Sequence, residues 1–529
     1  METYNSCNKL VFQISDIDQV KRFLSLGSEG GNYYVSEQDL TKKTIKCIQR
    51  VLNTDDKEIL LQLVKEYSEN NKCKKQEPLV YLLACCVTYK QRCQTLQQFR
   101  KEAYALVQVV CKIPTTLFMF IHYCKHLSTE YNGSSGWNNL HKNAVSKWYN
   151  SKDIKSLAYQ VTKYRERHSY KHRDILRLCH IIARTDEHQL LYKYIVKCLG
   201  KGEDFASTIT LEPSSSSSPN ELYTYLKSFE ELKTTTDVAV AVNLITNYKF
   251  SREHVPTPFL NSADIWNALL PNMPNIALLR TLNKITFLGL LDDKEKCDYV
   301  IDRIVKMKGI HPIQMLISMK TYSEGCSELG KLKWNPNQLI IDALNAAFYN
   351  LFEEIKAIDK RVCICLDVSG SMCSNIMNSA LSASDASCAM SMILKKANPT
   401  CMIMGFSDKF IPLDISNDRS FDDNMNNISN LTFGSTDISL PFEWAIDNTL
   451  EIDAFIVITD NETNRNTRTP MDALREYREK MNLPTCKLIV LATSVTDFTI
   501  ADPNDKYTLD IAGFDAVVPD IIQDFISDD

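Results

Sequence analysis

Five side chains in the C-terminal part of this 529-residue chain place hard oxygen atoms at the ends of apolar runs. The run CICLDVSGSM, residues 363 to 372, ends in Asp367 and then sets Ser369 and Ser371 on alternate positions. The segment GSTDISLP carries Thr436 ahead of a predicted helix, and FIVITDNE ends a second apolar run at Asp460. A hard divalent cation takes oxygen ligands, and a carboxylate with two hydroxyls on alternate positions of a tight loop can face one concavity. The pattern DxSxS, then Thr, then Asp predicts a metal site made of Asp367, Ser369, Ser371, Thr436 and Asp460. The bland alternative, a set of polar turn residues, explains a lone DxSxS but not all five positions in order. Oxygen ligands favour Mg²⁺, with Mn²⁺ or Ca²⁺ as alternatives.

The same residues argue against catalysis. No histidine follows His311, which excludes a Ser-His-Asp triad in this region. No GxxxxGK[ST] loop occurs, and the carboxylate cluster that a two-metal nuclease or phosphatase needs is missing. A binding site, not an enzyme, is expected. The 18 cysteines include no Cys-x-x-Cys spacing, so a structural zinc site is not expected. Their place in apolar stretches suits reduced, buried thiols of a cytosolic or nuclear protein. No signal peptide and no apolar run of transmembrane length is seen, so no membrane partner is expected.

The elements that must position the five oxygens follow from hydrophobic pattern. RVCICLD, TCMIMGF, DAFIVITD and CKLIVLAT are short, nearly continuous apolar runs separated by helical segments such as SLPFEWAIDNTL and PMDALREYREKM. This alternation predicts a parallel sheet covered on both faces, a doubly wound α/β domain over residues 356–529. Ligands on such sheets bind outside the carboxyl ends of the strands, where the motif lies. The DxSxS…T…D constellation resembles the metal-ion-dependent adhesion site of von Willebrand factor A domains. That resemblance implies a Rossmann-like domain and metal contacts, direct or through water, from the serines and the threonine. It also implies one metal position left for an acidic group of a protein ligand.

Residues 10–355 read instead as many short amphipathic helices, among them QEPLVYLLACCVTY, TLFMFIHYCKHL and LIIDALNAAFYNLF. Helix pairs succeed one another at roughly 40-residue intervals, the spacing of HEAT-like solenoids. PSSSSSP, residues 213–219, is the one low-complexity stretch and reads as an exposed loop. Charge separates the two parts. Residues 1–350 hold 46 basic and 36 acidic side chains, residues 351–529 hold 14 and 29. A basic helical part joined to an acidic α/β part points to a polyanion as partner of the first.

The basic density peaks in VTKYRERHSYKHRDILRLCH, residues 161–180. Lys163, Arg167, Lys171, Arg173 and Arg177 are spaced so that several share a helical surface, and Lys and Arg neutralise phosphates. Tyr164, His168, Tyr170 and His172 are interleaved and could stack on unpaired bases. A charge run alone is usually a solvated face, and His180, beside Leu178, Ile181 and Ile182, reads alone as a core histidine. Lys142 is a further candidate for the path of the polyanion.

Several separate blocks, including FLSLGSEGGNYYV, VCKIPTTLFMFI, VTKYRERHSYKHRDILRLCH, GKLKWNPN and TIADPND, look like the TROVE family of RNA-binding proteins. The resemblance implies an α-solenoid of HEAT-like repeats closed into a ring by the A domain. It implies a monomer of small cytoplasmic ribonucleoprotein particles, with a nuclear pool. Small Y RNAs would bind the outer surface, and misfolded noncoding RNAs would enter the central hole by a single-stranded 3′ end, serving RNA quality control. The family's Y RNA residues match Lys163, Arg167 and His180 here. A metal-dependent protein–protein scaffold acting through the A domain is the alternative.

Overall fold

The computed structural model describes the chain except residues 1, 28–36, 71, 74, 90–93, 135, 210–220, 327–331, 352–356, 358, 377–380, 430, 432–433, 465–467, 515–516 and 529. The Ser-rich stretch 213–219 lies outside the described residues. In chain order the strands are β1 (Glu2–Tyr4), β2 (Leu10–Gln13), β3 (Glu166–Arg167), β4 (Tyr170–Lys171), β5 (Val362–Asp367), β6 (Met402–Phe406), β7 (Phe410–Pro412), β8 (Ala454–Thr459), β9 (Lys487–Ala492), β10 (Phe498–Thr499) and β11 (Thr508–Ala512). The chain divides into two compact units. One joins residues 1–53 and 71–74 to 298–529, and the other holds 54–70 and 75–297.

The first unit contains the α/β domain. Its sheet runs β11-β9-β8-β5-β6-β7, parallel throughout except for the edge strand β7. The four apolar runs of the sequence are β5, β6, β8 and β9. β5, β8 and β9 are buried at every residue, as strands covered on both faces must be. Cys363, Cys365, Phe455, Val457, Leu488 and Val490 pack with Phe442, Ala445, Leu474 and Tyr477 of the helices Leu440–Asp447 and Pro470–Lys480. The alternate residues face the other side, where the helix Ala383–Ala397 lies. β6 and β8 flank β5 on opposite sides, so the strand order reverses at β5 and opens a crevice at its carboxyl end.

A division of the chain at residue 355 follows sequence pattern, and packing groups the residues differently. β2 pairs antiparallel with both β1 and β10, and Val11 is buried in the same core as Cys363 and Phe455. Arg22, on the helix Asp16–Leu26, is 1% exposed and donates to Thr496 Oγ1 at 2.6 Å, Phe498 O at 3.1 Å and Asp510 Oδ2 at 2.5 Å. Lys320, on the helix Pro312–Ser323, reaches Asp385 at 2.7 Å, the residue that closes the capping box of Ala383–Ala397. Segments on both sides of the second unit's sequence are thus fastened to the α/β domain by charge pairs with at least one buried partner.

Among the described residues the second unit is helical, with one hairpin, β3–β4. Consecutive helices pack as neighbours, for example Glu221–Thr234 on Val238–Tyr248 and Val238–Tyr248 on Ala263–Leu269. The apolar helix Glu77–Thr88 packs on Pro114–Asn132 and buries Leu79, Val80, Leu82 and Leu83 with Leu117, Phe118 and Phe120. The helical-repeat and doubly wound classes expected from sequence are both present.

Removing one member of a buried ion pair leaves the other uncompensated, at a cost of about 3–5 kcal/mol. Arg22→Ala is therefore expected to lower the urea midpoint of the first unit markedly, followed by tryptophan fluorescence and circular dichroism. An unchanged midpoint would mean that residues 1–53 are an appendage and not part of that core.

Candidate functional site

Four of the five predicted residues, Asp367, Ser369, Ser371 and Asp460, converge where adjacent strands end. Asp367 ends β5 and Asp460 follows β8, the strand beside it. The Asp367 carboxylate accepts from the Ser369 amide at 2.9 Å and from Thr459 Oγ1 at 2.7 Å. Ser369 Oγ lies 3.0 Å from Ser371 Oγ, and the Ser371 side chain hydrogen-bonds Asp460. Asp460 also accepts from the Glu462 amide at 3.0 Å. Thr436 is tied to the segment that follows β8: its amide donates to Asn464 Oδ1 at 2.8 Å, and its carbonyl accepts from the Asn464 amide at 3.0 Å. All five predicted residues are buried.

Burial pushes the Asp367 carboxyl well above the usual carboxylate range, and the charge of Asp460 adds to the shift. Burial likewise raises Asp460, against hydrogen bonds from Ser371 and the Glu462 amide. Adjacent buried carboxylates are costly unless a cation or a proton neutralises them. Asn461, at a left-handed φ of 66°, buries a side-chain amide whose two polar atoms have no hydrogen-bond partner among the described residues. Two carboxylates, two serine hydroxyls and a threonine form a donor set that fits a hard divalent cation. Thr459 and Asn464, which orient Asp367 and Thr436, carry no signal in the sequence; each is an ordinary polar residue whose role depends on the strand it sits beside.

The basic segment is built differently from a single helix face. The helix Ile154–Lys163 ends at Lys163, and a new helix starts at His172. Between them β3 and β4 form a hairpin whose turn residues, His168 and Ser169, have φ of 49° and 64°. Left-handed values at both central positions are those of a type I′ turn, normally signalled by Asn-Gly or Asp-Gly. The expected shared helical surface is therefore corrected: Lys163, Arg167 and Lys171 meet because the chain folds back at the hairpin.

They meet in a depression of about 660 Å³ lined by Lys163, Arg165, Arg167, Lys171 and Arg173, with Tyr164 among the other walls. Arg165 is exposed, and helical spacing continued past Lys163 hides it from a sequence reading. Arg173 lies over Gly200 and donates to its carbonyl at 3.0 Å. A Cβ at Gly200 would stand 2.3 Å from Arg173 Cδ, so this glycine leaves room for the stem of the Arg173 side chain. Gly200 follows a π-helical turn, Ile195–Leu199, a rare geometry that is frequent at functional sites.

His172 is a correction to the sequence expectation. Its ring is 2% exposed and cannot stack on a base. Nε2 lies 2.8 Å from the Tyr164 carbonyl, which can only accept, so Nε2 carries the proton and Nδ1 accepts from Tyr149 OH at 2.7 Å. His168 stacks on His122, with ring centroids 4.8 Å apart, and Tyr170 meets the edge of Trp137. Arg177 is exposed on the helix His172–Cys179, outside the depression. His180, in place of a core position, is exposed and left-handed at the C-terminal cap of that helix, between exposed Leu178 and Ile182. Lys142 sits near this end, where its charge opposes the burial that raises the Cys179 thiol.

Residues 3–320 match the TROVE domain family, and residues 361–526 match the Ro60 vWA domain family. A Caenorhabditis elegans protein named "RNA-binding protein RO60" is 33% identical over 99% of this chain and 90% of its own length. A Deinococcus radiodurans protein of the same name is 29% identical over 98% of this chain and 94% of its own. The crystal structure of the Deinococcus radiodurans RO (RSR) protein superposes with a TM-score of 0.69 at 27% identity, covering 97% of this chain and 99% of that one.

Three histidines of the helical unit, His141, His172 and His254, are buried, and burial depresses each from 6.5 to about 4. Between those values the unfolded chain binds protons that the folded chain does not. Stability is complete above about 6.5 and falls as pH drops toward 4, by up to about 1.4 kcal/mol per pH unit for each residue. Urea midpoints at pH 7 and pH 5 are expected to differ clearly, and His172→Gln to narrow the difference. Equal midpoints at the two pH values would contradict the neutral, buried imidazoles.

Proposed function

The chain belongs to the TROVE-domain family, with a C-terminal Ro60-type von Willebrand A domain, and from that premise we propose that it binds small structured RNAs as part of a ribonucleoprotein particle. The observation that carries this reading is the depression in which five cationic side chains meet around Tyr164. Arg165 and Arg167 are exposed and hold no ion pair among the described residues, so their forks are available for phosphate oxygens in two parallel bonds. Tyr164 offers a ring for an unpaired base. His180 with Lys142 and Arg177 forms a second contact at the far end of the helix His172–Cys179. The RNAs are Y RNAs and misfolded noncoding RNAs with single-stranded 3′ ends, and the role is noncoding RNA quality control.

The A domain holds a divalent cation, Mg²⁺ foremost, through Asp367, Ser369, Ser371, Thr436 and Asp460. A bound cation would offset the two buried carboxylates and accept an acidic group of a protein ligand in a remaining position. That is a binding role, and the chain is not an enzyme.

Two experiments test these assignments. Lys163→Ala with Arg167→Ala is expected to weaken binding of a labelled stem–loop RNA strongly and to lower the salt slope by about 0.7–0.9 for each phosphate no longer neutralised. Unchanged affinity and slope in a folded variant would reduce the segment to a solvated face. For the metal site, Mg²⁺ is expected to raise the melting temperature of the wild-type chain and EDTA to reverse it. Asp367→Ala or Thr436→Ala should abolish that shift with RNA affinity nearly unchanged. A wild-type melting curve indifferent to Mg²⁺, Mn²⁺ and Ca²⁺ would remove the metal from the account.

A further inference from the structure

Lys163 is a half-buried ammonium of the depression, its side chain only 11% exposed. It stands 5.0 Å above the Tyr164 ring and 5.8 Å from the Tyr159 ring. Its carboxylate neighbour is Glu253, at 3.6 Å, from the 3₁₀ turn Arg252–His254. The pair is set in register by the residues beside it. Thr162, next to Lys163, bonds His254, next to Glu253: Oγ1 to Nε2 at 3.1 Å, with both side chains fully covered. Tyr225 OH joins Thr162 at 2.8 Å, and His254 Nδ1 is held by Ser251 Oγ at 2.9 Å. A buried hydrogen bond one residue away on both segments therefore fixes where the carboxylate and the ammonium meet.

The other lysine of the depression has an ion pair of a different kind. Lys171 and Glu166 face each other across the hairpin at 3.1 Å with side chains 59% and 63% exposed, a solvated pair that contributes little. Glu253 differs in being registered by a covered network against an ammonium that solvent hardly reaches.

We propose that Glu253 is a positioning residue of the RNA site, an internal anion that holds Lys163 at the wall of the depression and that an RNA phosphate must displace. The proposal rests on the RNA-binding reading above. In the free protein the Glu253 carboxylate supplies the charge that a phosphate oxygen supplies in the complex. Binding exchanges one anion for another at Lys163. The counterions that the phosphate releases are then partly balanced by a cation recruited to the freed Glu253. Arg165 and Arg167, which hold no carboxylate among the described residues, make their phosphate contacts without that exchange. The ligand selected is one that presents phosphates to the arginine forks and to Lys163 together, because Lys163 alone gains little from the swap.

The test uses the full chain and a labelled stem–loop RNA titrated at several salt concentrations. Glu253→Gln is expected to bind about two- to fivefold more tightly at low salt, with a steeper salt slope, by at most about 0.7–0.9. Glu253→Asp, which keeps the charge, should stay near wild type. In a Lys163→Ala background, Glu253→Gln should add nothing. The same gain in that background would mean that Glu253 merely repels RNA at a distance, and would overturn the proposal. So would weaker binding together with a lowered melting temperature in Glu253→Gln, which would make the pair a structural tie. A wild-type protein that binds no stem–loop RNA would overturn the functional reading and this inference with it, whereas wild-type binding with unchanged Glu253→Gln affinity and slope would overturn the inference alone.

Discussion

The basic surface of the helical unit hangs on one neutral imidazole. His172 sits under the hairpin with both ring nitrogens committed, one to the Tyr164 carbonyl and one to the Tyr149 hydroxyl, and with Phe118 against its ring at 4.8 Å. The bond to Tyr164 ties the end of one helix to the start of the next across eight residues. Everything between the two points must loop outward, and that loop carries Arg165, Arg167 and Lys171. An imidazolium could not accept from Tyr149, so the arrangement requires the neutral ring that burial favours. The cationic side chains are thereby placed by an uncharged core contact and not by one another, whose charges repel.

The α/β domain solves the opposite problem. There the like charges are negative and inside, at the point where β6 and β8 leave β5 on opposite sides. The sheet's covered faces shield Asp367 from solvent, so its two oxygens take an amide and a hydroxyl from the protein itself. In the proposed metal-binding role, a cation would offset the cost of burying that carboxylate. One chain thus presents cations outward on hairpin and helix ends in one unit and buried anions at strand ends in the other.

The strands β5, β6, β8 and β9 were legible because a strand buried on both faces has to be apolar at nearly every position. Asp367, Ser369, Ser371 and Asp460 stand close together because the adjacent parallel strands β5 and β8 end side by side. β11 was not legible: TLDIA lies at a sheet edge, half-buried throughout, and carries no continuous apolar signal. β2 is four residues long, and its partner β10 lies far along the chain. The hairpin was hidden because His168 and Ser169 occupy left-handed positions without the Gly or Asn that announces them. Composition correctly located the basic segment but not its geometry. His172 has the residue type of a stacking group and the burial of a core residue, and His180 has the apolar neighbours of a core residue and the exposure of a contact. Burial of a single polar side chain depends on what the fold brings against it, which no local window contains.

The central claim is that RNA lies against the hairpin and the walls of the depression beside it. Ultraviolet crosslinking of the full chain to a stem–loop RNA, followed by mass spectrometry of the crosslinked peptides, measures that contact directly. The account predicts crosslinks concentrated in the peptides spanning residues 159–173, with Tyr164 foremost, and a second group around His180. Crosslinks confined to other peptides, with residues 159–180 recovered unmodified from a saturated complex, would contradict it.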